Sequence, residues 1–214
     1  MQRLRLVFTR GSEIQYISHL DIMRMWERVL RRARVPLAYS HGFNPQPRIA
    51  LAAPLPVGVT SEGELMDVFL VESVPRRDFL ERVEPQLPAG VRVLDIDEVS
   101  ISEPSLQSRV RFADYQVTVE SKLSRDEVED RIRRLLSAKE VFRERRRDTR
   151  VRRYDLRPFI KSLAITAWNT EQCLEMRLVN SPSGAARPDE VLAELGLEHA
   201  TQRVHRLRVL FEHD

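Results

Sequence analysis

Residues 39–48 read YSHGFNPQPR and bring together groups suited to recognition chemistry. Tyr39, His41 and Phe43 alternate, so an extended backbone would set three rings on one face. Pro45 and Pro47 each lack a backbone donor and cannot both serve a central ladder. Asn44 and Gln46, each before a proline, are pushed toward extended backbone. A stiff segment carrying rings beside Arg48 could stack and hydrogen-bond an unpaired base. Tyr39, His41, Asn44 and Arg48 are therefore candidate binding residues, whereas Phe43 is expected to pack inside.

The arginines form the second group of candidates. Lys122, Lys139 and Lys161 are the only lysines among 35 basic residues, which leaves 32 arginines in a chain of net charge +3. The planar guanidinium fork suits phosphates and base edges better than an ammonium does. Arg24, Arg28 and Arg31 recur at helical spacing. RERRRDTRVRRYDLR, residues 143–157, holds eight arginines against three acids, Glu144, Asp148 and Asp155. Arg145, Arg146, Arg147, Arg150, Arg152 and Arg153 in this segment are expected to grip a phosphate chain, with release of counterions.

Signatures of catalysis are lacking. The seven glycines form neither a Walker loop nor a G-x-G-x-x-G series. The five histidines, His19, His41, His199, His205 and His213, have no metal-ligand spacing. The single cysteine, Cys173, excludes an internal disulfide or a cysteine cluster built from this chain alone, and points to a reducing compartment. No catalytic residue, cofactor or metal is assigned. The N-terminal MQRLRLVFTR alternates charge and apolar groups, and the apolar run 49–59 is short and broken by Pro54 and Pro56. A cytoplasmic protein with no membrane partner is expected.

The elements that must position these groups repeat in order. Strands are expected at 3–9, 48–53, 64–72 and 91–96, with GVTSEG as a turn before the third. A helix capped by Ser18, with Ile22, Trp26, Val29 and Ala33 on its apolar stripe, and a second helix opening at Pro75 fall between them. The polar stretch 100–108 reads as a linker. The same order follows it, with strands at 113–121, 157–166, 173–179 and 204–212 and helices after Ser124 and at Pro188. The arginine-rich stretch stands before the second strand of this half, as a long loop or a hairpin. The expected fold is α+β, with two tandem ferredoxin-like β-α-β-β-α-β units and antiparallel sheets, over residues 1–99 and 109–214.

YISHLDIMR (16–24), YSHGFNPQPRI (39–49) and LPVGVTSEGELMDV (55–68) resemble the radical-SAM-linked protein family, a domain family of unknown function. The resemblance is strongest over residues 3–100 and continues more weakly through RPDEVLAELGL (187–197). Its motif positions are Ser18, His19, Asp21, Arg24, Tyr39, Ser40, Gly42, Phe43, Asn44, Pro45, Pro47, Gly58, Ser61, Glu64 and Asp67. The family often has histidine where this chain has Gln46. The resemblance implies a radical-SAM enzyme as partner. With the arginines, it gives the expectation of a non-catalytic accessory protein that holds a structured RNA, transfer or ribosomal, for modification. The alternatives are a metal-independent RNA endonuclease, in which His41 or His19 takes the 2′-hydroxyl proton, and a purely protein-binding adaptor.

Overall fold

A computed structural model describes residues 1–147 and 150–212. The chain divides into two compact units, Met1–Val110 with Phe211–Asp214, and Arg111–Leu210. Both are mixed α+β with antiparallel strands.

The first unit contains β1 (Gln2–Arg10), α1 (His19–Arg32), β2 (Ile49–Leu51), β3 (Val59–Leu70), α2 (Arg76–Val83), β4 (Val93–Val99) and the short α3 (Leu106–Arg109). β2 pairs with β3, β3 with β1 and β1 with β4. Alternation along β1 sends Leu4, Leu6 and Phe8 into the core, where Met66, Val68 and Leu70 of β3 and Ile96 of β4 join them. α1 covers this face with Ile22, Trp26, Val29 and Leu30, and α2 with Phe79 and Val83. Trp26 meets Phe8 edge-on at 5.0 Å between ring centroids. Ser18 caps α1, its Oγ accepting from the Asp21 amide at 3.2 Å.

The other face of β1 carries Arg3 and Arg5, which both donate to the fully buried Asp67 of β3. Arg3 also reaches the carbonyls of Ser100, Glu103 and Pro104, so the polar 100–108 stretch packs on this unit rather than standing free. β3 begins five residues earlier than expected. The turn lies at Gly58, whose φ of 84° is the left-handed region that glycine adopts without a Cβ clash. Residues 59–63 belong to the strand, with Ser61 opposite Arg10 of β1.

The second unit contains β5 (Phe112–Val119), α4 (Arg125–Ser137), β6 (Phe142–Arg147), β7 (Arg150–Asp155), β8 (Ile160–Trp168), β9 (Gln172–Ser181), β10 (Gly184–Ala185), α5 (Pro188–Glu194) and β11 (Thr201–Leu210). β8 pairs with β9, β9 with β5 and β5 with β11. Strands two, three, one and four of each β-α-β-β-α-β series thus stand in the same order in both units. Val128, Ile132 and Leu135 of α4 and Val191 and Leu192 of α5 close the second core over Val117, Leu174 and Met176. A capping box between Ser124 and Glu127 starts α4. β6 and β7 form a separate two-stranded ribbon inserted between α4 and β8. Among the described residues no helix is long and apolar enough to cross a membrane.

Candidate functional site

The 39–48 segment is a hairpin-like loop stapled at its base by backbone hydrogen bonds. The Arg48 amide donates to the Ala38 carbonyl and the Ser40 amide to the Gln46 carbonyl, each at 2.8 Å. Tyr39 and Pro47 form an isolated antiparallel bridge. Ser40 Oγ accepts from the Gln46 amide at 3.0 Å. The limbs are tied to β3, with the Ala38 amide donating to the Phe69 carbonyl and the Phe69 amide to that of Arg48. At the tip, Gly42 has φ 126°, which a side chain would strain.

Tyr39, His41 and Asn44 are all exposed on this loop. Arg48 is not brought to them; its guanidinium lies 4.3 Å from the centroid of the Phe69 ring and donates to Met1 Sδ. Phe43 is wholly exposed, which corrects the expectation that it packs inside. The reason is the staple: with residues 40 and 46 held together, positions 41–45 can only project as a tip.

Facing the returning limb of the loop is the outer side of α1. Leu20, Met23, Arg24 and Glu27, at i, i+3, i+4 and i+7, form one wall of a slot of about 210 Å³; Gln46, Pro47 and Ile49 form the other. Sequence reasoning assigned the inner stripe of this helix but missed the slot. Its only signal was an exposed leucine in register with the arginines. Arg24, Arg28 and Arg31 line the outer side of α1, each in a local contact: Arg24 with Asp21 at 3.5 Å, Arg28 with the Arg24 carbonyl and Arg31 with Glu27 at 2.6 Å. The Ser18 hydroxyl, first, and the Arg24 guanidinium hold the Asp21 carboxyl below its usual range.

His19 lies elsewhere, beside Arg10, Ile22, Leu55 and Glu64, around a void of about 10 Å³, room for one water. Arg10 there donates to the carbonyls of Ile14, Gln15, Ile17 and Leu55, a structural use of its fork. Among the described residues no group of three His, Cys, Asp or Glu side chains could hold a metal ion.

In the second unit the arginine-rich segment is the β6–β7 ribbon. Its register pairs Arg143 with Tyr154, Arg145 with Arg152 and Arg147 with Arg150. Directly opposed residues share a face and alternate residues repeat it. Positions 143, 145, 147, 150, 152 and 154 therefore occupy one face of the ribbon, and Glu144 and Asp155 the other.

Arg145 is not a free gripping residue. It donates to both oxygens of Glu190 on α5, at 2.6 and 2.9 Å, and to the Ala185 carbonyl. Tyr154 donates to the same carboxylate at 2.5 Å, and Arg143 to Glu194 at 2.6 Å. Burial alone would raise the Glu190 carboxyl, but hydrogen bonds from Tyr154, Arg145 and the Arg187 amide outweigh it and hold it below the usual range. Burial and the bond to Glu190 push the Tyr154 phenol up to about 12, so it remains a donor. This clamp fixes the proximal end of the ribbon. Arg153 stacks on Phe142 at 4.1 Å, exposed on the opposite face. The side chains of Arg146, Arg147, Arg150 and Arg152 lie outside the described residues.

The profile of the family described as Uncharacterized protein conserved in bacteria (DUF2344) matches residues 3–188. No curated protein matches the chain. Among solved structures the chain is similar to one in a crystal structure of a Cbf5-Nop10-Gar1 complex, with 8% identity and a TM-score of 0.54, covering 100% of this chain and 50% of that one. It is similar to a chain of the archaeal box H/ACA sRNP Nop10-Cbf5 complex, with 9% identity, a TM-score of 0.49 and coverage of 100% and 49%. A third is an unknown protein from Galdieria sulphuraria, with 10% identity, a TM-score of 0.28 and coverage of 92% and 89%. The chain thus spans about half the length of the first two, and the likeness to the first, at 8% identity, concerns fold alone.

Proposed function

The chain belongs to this bacterial family of uncharacterized proteins, and from that premise we propose an RNA-binding accessory protein that performs no chemistry itself. We read its two units as tandem ferredoxin-like units, a reading that their shared strand order supports. The enzyme it serves is a radical-SAM enzyme, as the resemblance carried by residues 16–24, 39–49 and 55–68 implies. Its ligand is a structured RNA, transfer or ribosomal.

The observation that carries the RNA reading is the register of the ribbon. Arginine is registered opposite arginine at two successive positions, 145 with 152 and 147 with 150. Like charges directly opposed across an antiparallel pair oppose folding. Glu190 and Glu194 offset this at the proximal end. Arginines occupy the further register positions 147, 150 and 152, and a chain of phosphates is the partner that would offset their charge. Composition agrees: residues 111–210 hold 21 of the 35 basic and 16 of the 32 acidic residues, so the positive excess resides in this unit.

The test is binding of a transfer RNA to the full chain, followed by anisotropy from 50 to 200 mM salt. The logarithm of affinity should fall linearly with the logarithm of salt concentration, by ~0.7–0.9 per phosphate contacted. Replacing Arg147, Arg150 and Arg152 together with glutamine should weaken binding ~10-fold or more and flatten that slope. Absence of binding, or affinity indifferent to salt, overturns the reading.

A further inference from the structure

We propose that the slot between α1 and the returning limb of the 39–48 loop holds one unstacked base of the bound RNA, an inference that rests on the RNA-binding reading above. The slot has two facing walls. A helix side supplies Leu20 and Met23; the loop and the start of β2 supply Pro47 and Ile49. Apolar groups on both sides suit a planar ring, and the Met23 thioether is a favourable neighbour for an aromatic system. The volume, about 210 Å³, is below the ~300 Å³ at which pockets for drug-sized ligands begin, so it fits a single ring system.

The polar lining decides between a base and an apolar protein side chain. Gln46, Arg24 and Glu27 complete the slot. A leucine or phenylalanine from a protein would bury these groups against hydrocarbon, an unfavourable exchange. A base presents donors and acceptors along its edge. The Gln46 amide offers one acceptor and two donors, Glu27 an acceptor and Arg24 a fork of donors. The Gln46 backbone is pinned to Ser40 by two hydrogen bonds, so its side chain starts from a fixed place. Exposed Tyr39, His41 and Phe43 on the same loop offer rings on which neighbouring unpaired bases can stack.

The experiment uses the full chain and an RNA stem-loop with 2-aminopurine in its loop, a base whose fluorescence rises when it leaves the stack. Anisotropy of a terminal dye reports binding separately. Binding should raise the 2-aminopurine signal severalfold. Gln46→Ala should cut that rise about threefold. Leu20→Glu, which sets a carboxylate against the ring, should abolish it. Both side chains are exposed, so the fold should tolerate either change. Binding without a fluorescence rise, or a rise unchanged in both variants, overturns the slot assignment alone. No anisotropy change at all overturns the RNA reading and this inference with it.

Discussion

The connection between the first helix and the second strand is elaborated in both units, by different physical means. In the first unit it runs from α1 to β2 and forms the stapled loop; in the second it runs from α4 to β8 and forms the ribbon. Backbone hydrogen bonds hold the base of the loop, leaving Tyr39, His41, Phe43 and Asn44 exposed. Charged side chains clamp the ribbon, through Glu190 and Glu194 of α5. Both units keep the same strand order, so elaborating this connection leaves the core intact. Arginine is abundant in both units but serves differently. In the first, Arg3 and Arg5 fasten on Asp67 and Arg10 on four carbonyls; in the second, Arg157 likewise fastens on the Leu136 and Ile160 carbonyls, but the β6–β7 ribbon gathers seven of the unit's eighteen arginines.

The sharpest way to break this comparison is to remove the internal fastener. Asp67 is fully buried and accepts from both Arg3 and Arg5. Asp67→Ala strands two guanidinium groups, one of them almost entirely out of water, and should cost about 3–5 kcal/mol in urea unfolding with an unchanged slope. A loss below about 1 kcal/mol would mean that arginines of the first unit are not fasteners, and the contrast between the units would fail.

Much of this arrangement was legible in the residues. Period-two alternation in RLRLVFT and the stripe Ile22, Trp26, Val29 fixed a strand and a helix face, because burial of one face leaves a single workable register. Ser18, Ser124 and Pro188 marked helix starts through the backbone donors that a helix leaves unpaired. What was hidden depended on partners distant in sequence. Nothing near Arg145 says that Glu190, 45 residues on, will claim it. Nothing in YSHGFNPQPR says that residues 40 and 46 will pair, and that pairing is what drives Phe43 outward. The start of β3 was misplaced because Ser61 and Gly63 look like turn residues, whereas pairing with β1 holds them extended.

A second, smaller effect tests whether side-chain charge really clamps the ribbon. Glu190→Gln should cost about 1–2 kcal/mol, since it weakens bonds from Arg145, Tyr154 and the Arg187 amide at once. The acid dependence fixes the sign. The folded carboxyl titrates below its unfolded range, so its contribution is complete at neutral pH and is lost as pH falls through the lowered value. The parent should therefore lose protection of the β6–β7 amides in hydrogen exchange as the medium becomes strongly acidic. The glutamine variant should show reduced protection already at pH 7, and little further change on acidification. Equal protection in both at pH 7 would assign the ribbon's order to its backbone alone, as in the loop.

The smallest effect belongs to the loop tip, and there the expected change in stability is close to nil. Phe43 is wholly exposed, so Phe43→Ser removes no buried contact and should shift the unfolding free energy by no more than about 0.5 kcal/mol. Its consequence should appear in solution behaviour and binding, because a phenylalanine held in water on a stapled loop is an apolar surface without a cover. The variant should bind the stem-loop RNA more weakly while keeping the salt slope set by the ribbon, since stacking and phosphate contact are independent terms. A destabilisation of 2 kcal/mol or more would show that Phe43 spends its time packed in the core. A changed salt slope would instead couple loop and ribbon energetically, and their division into a ring-bearing and a charge-bearing element would have to be abandoned.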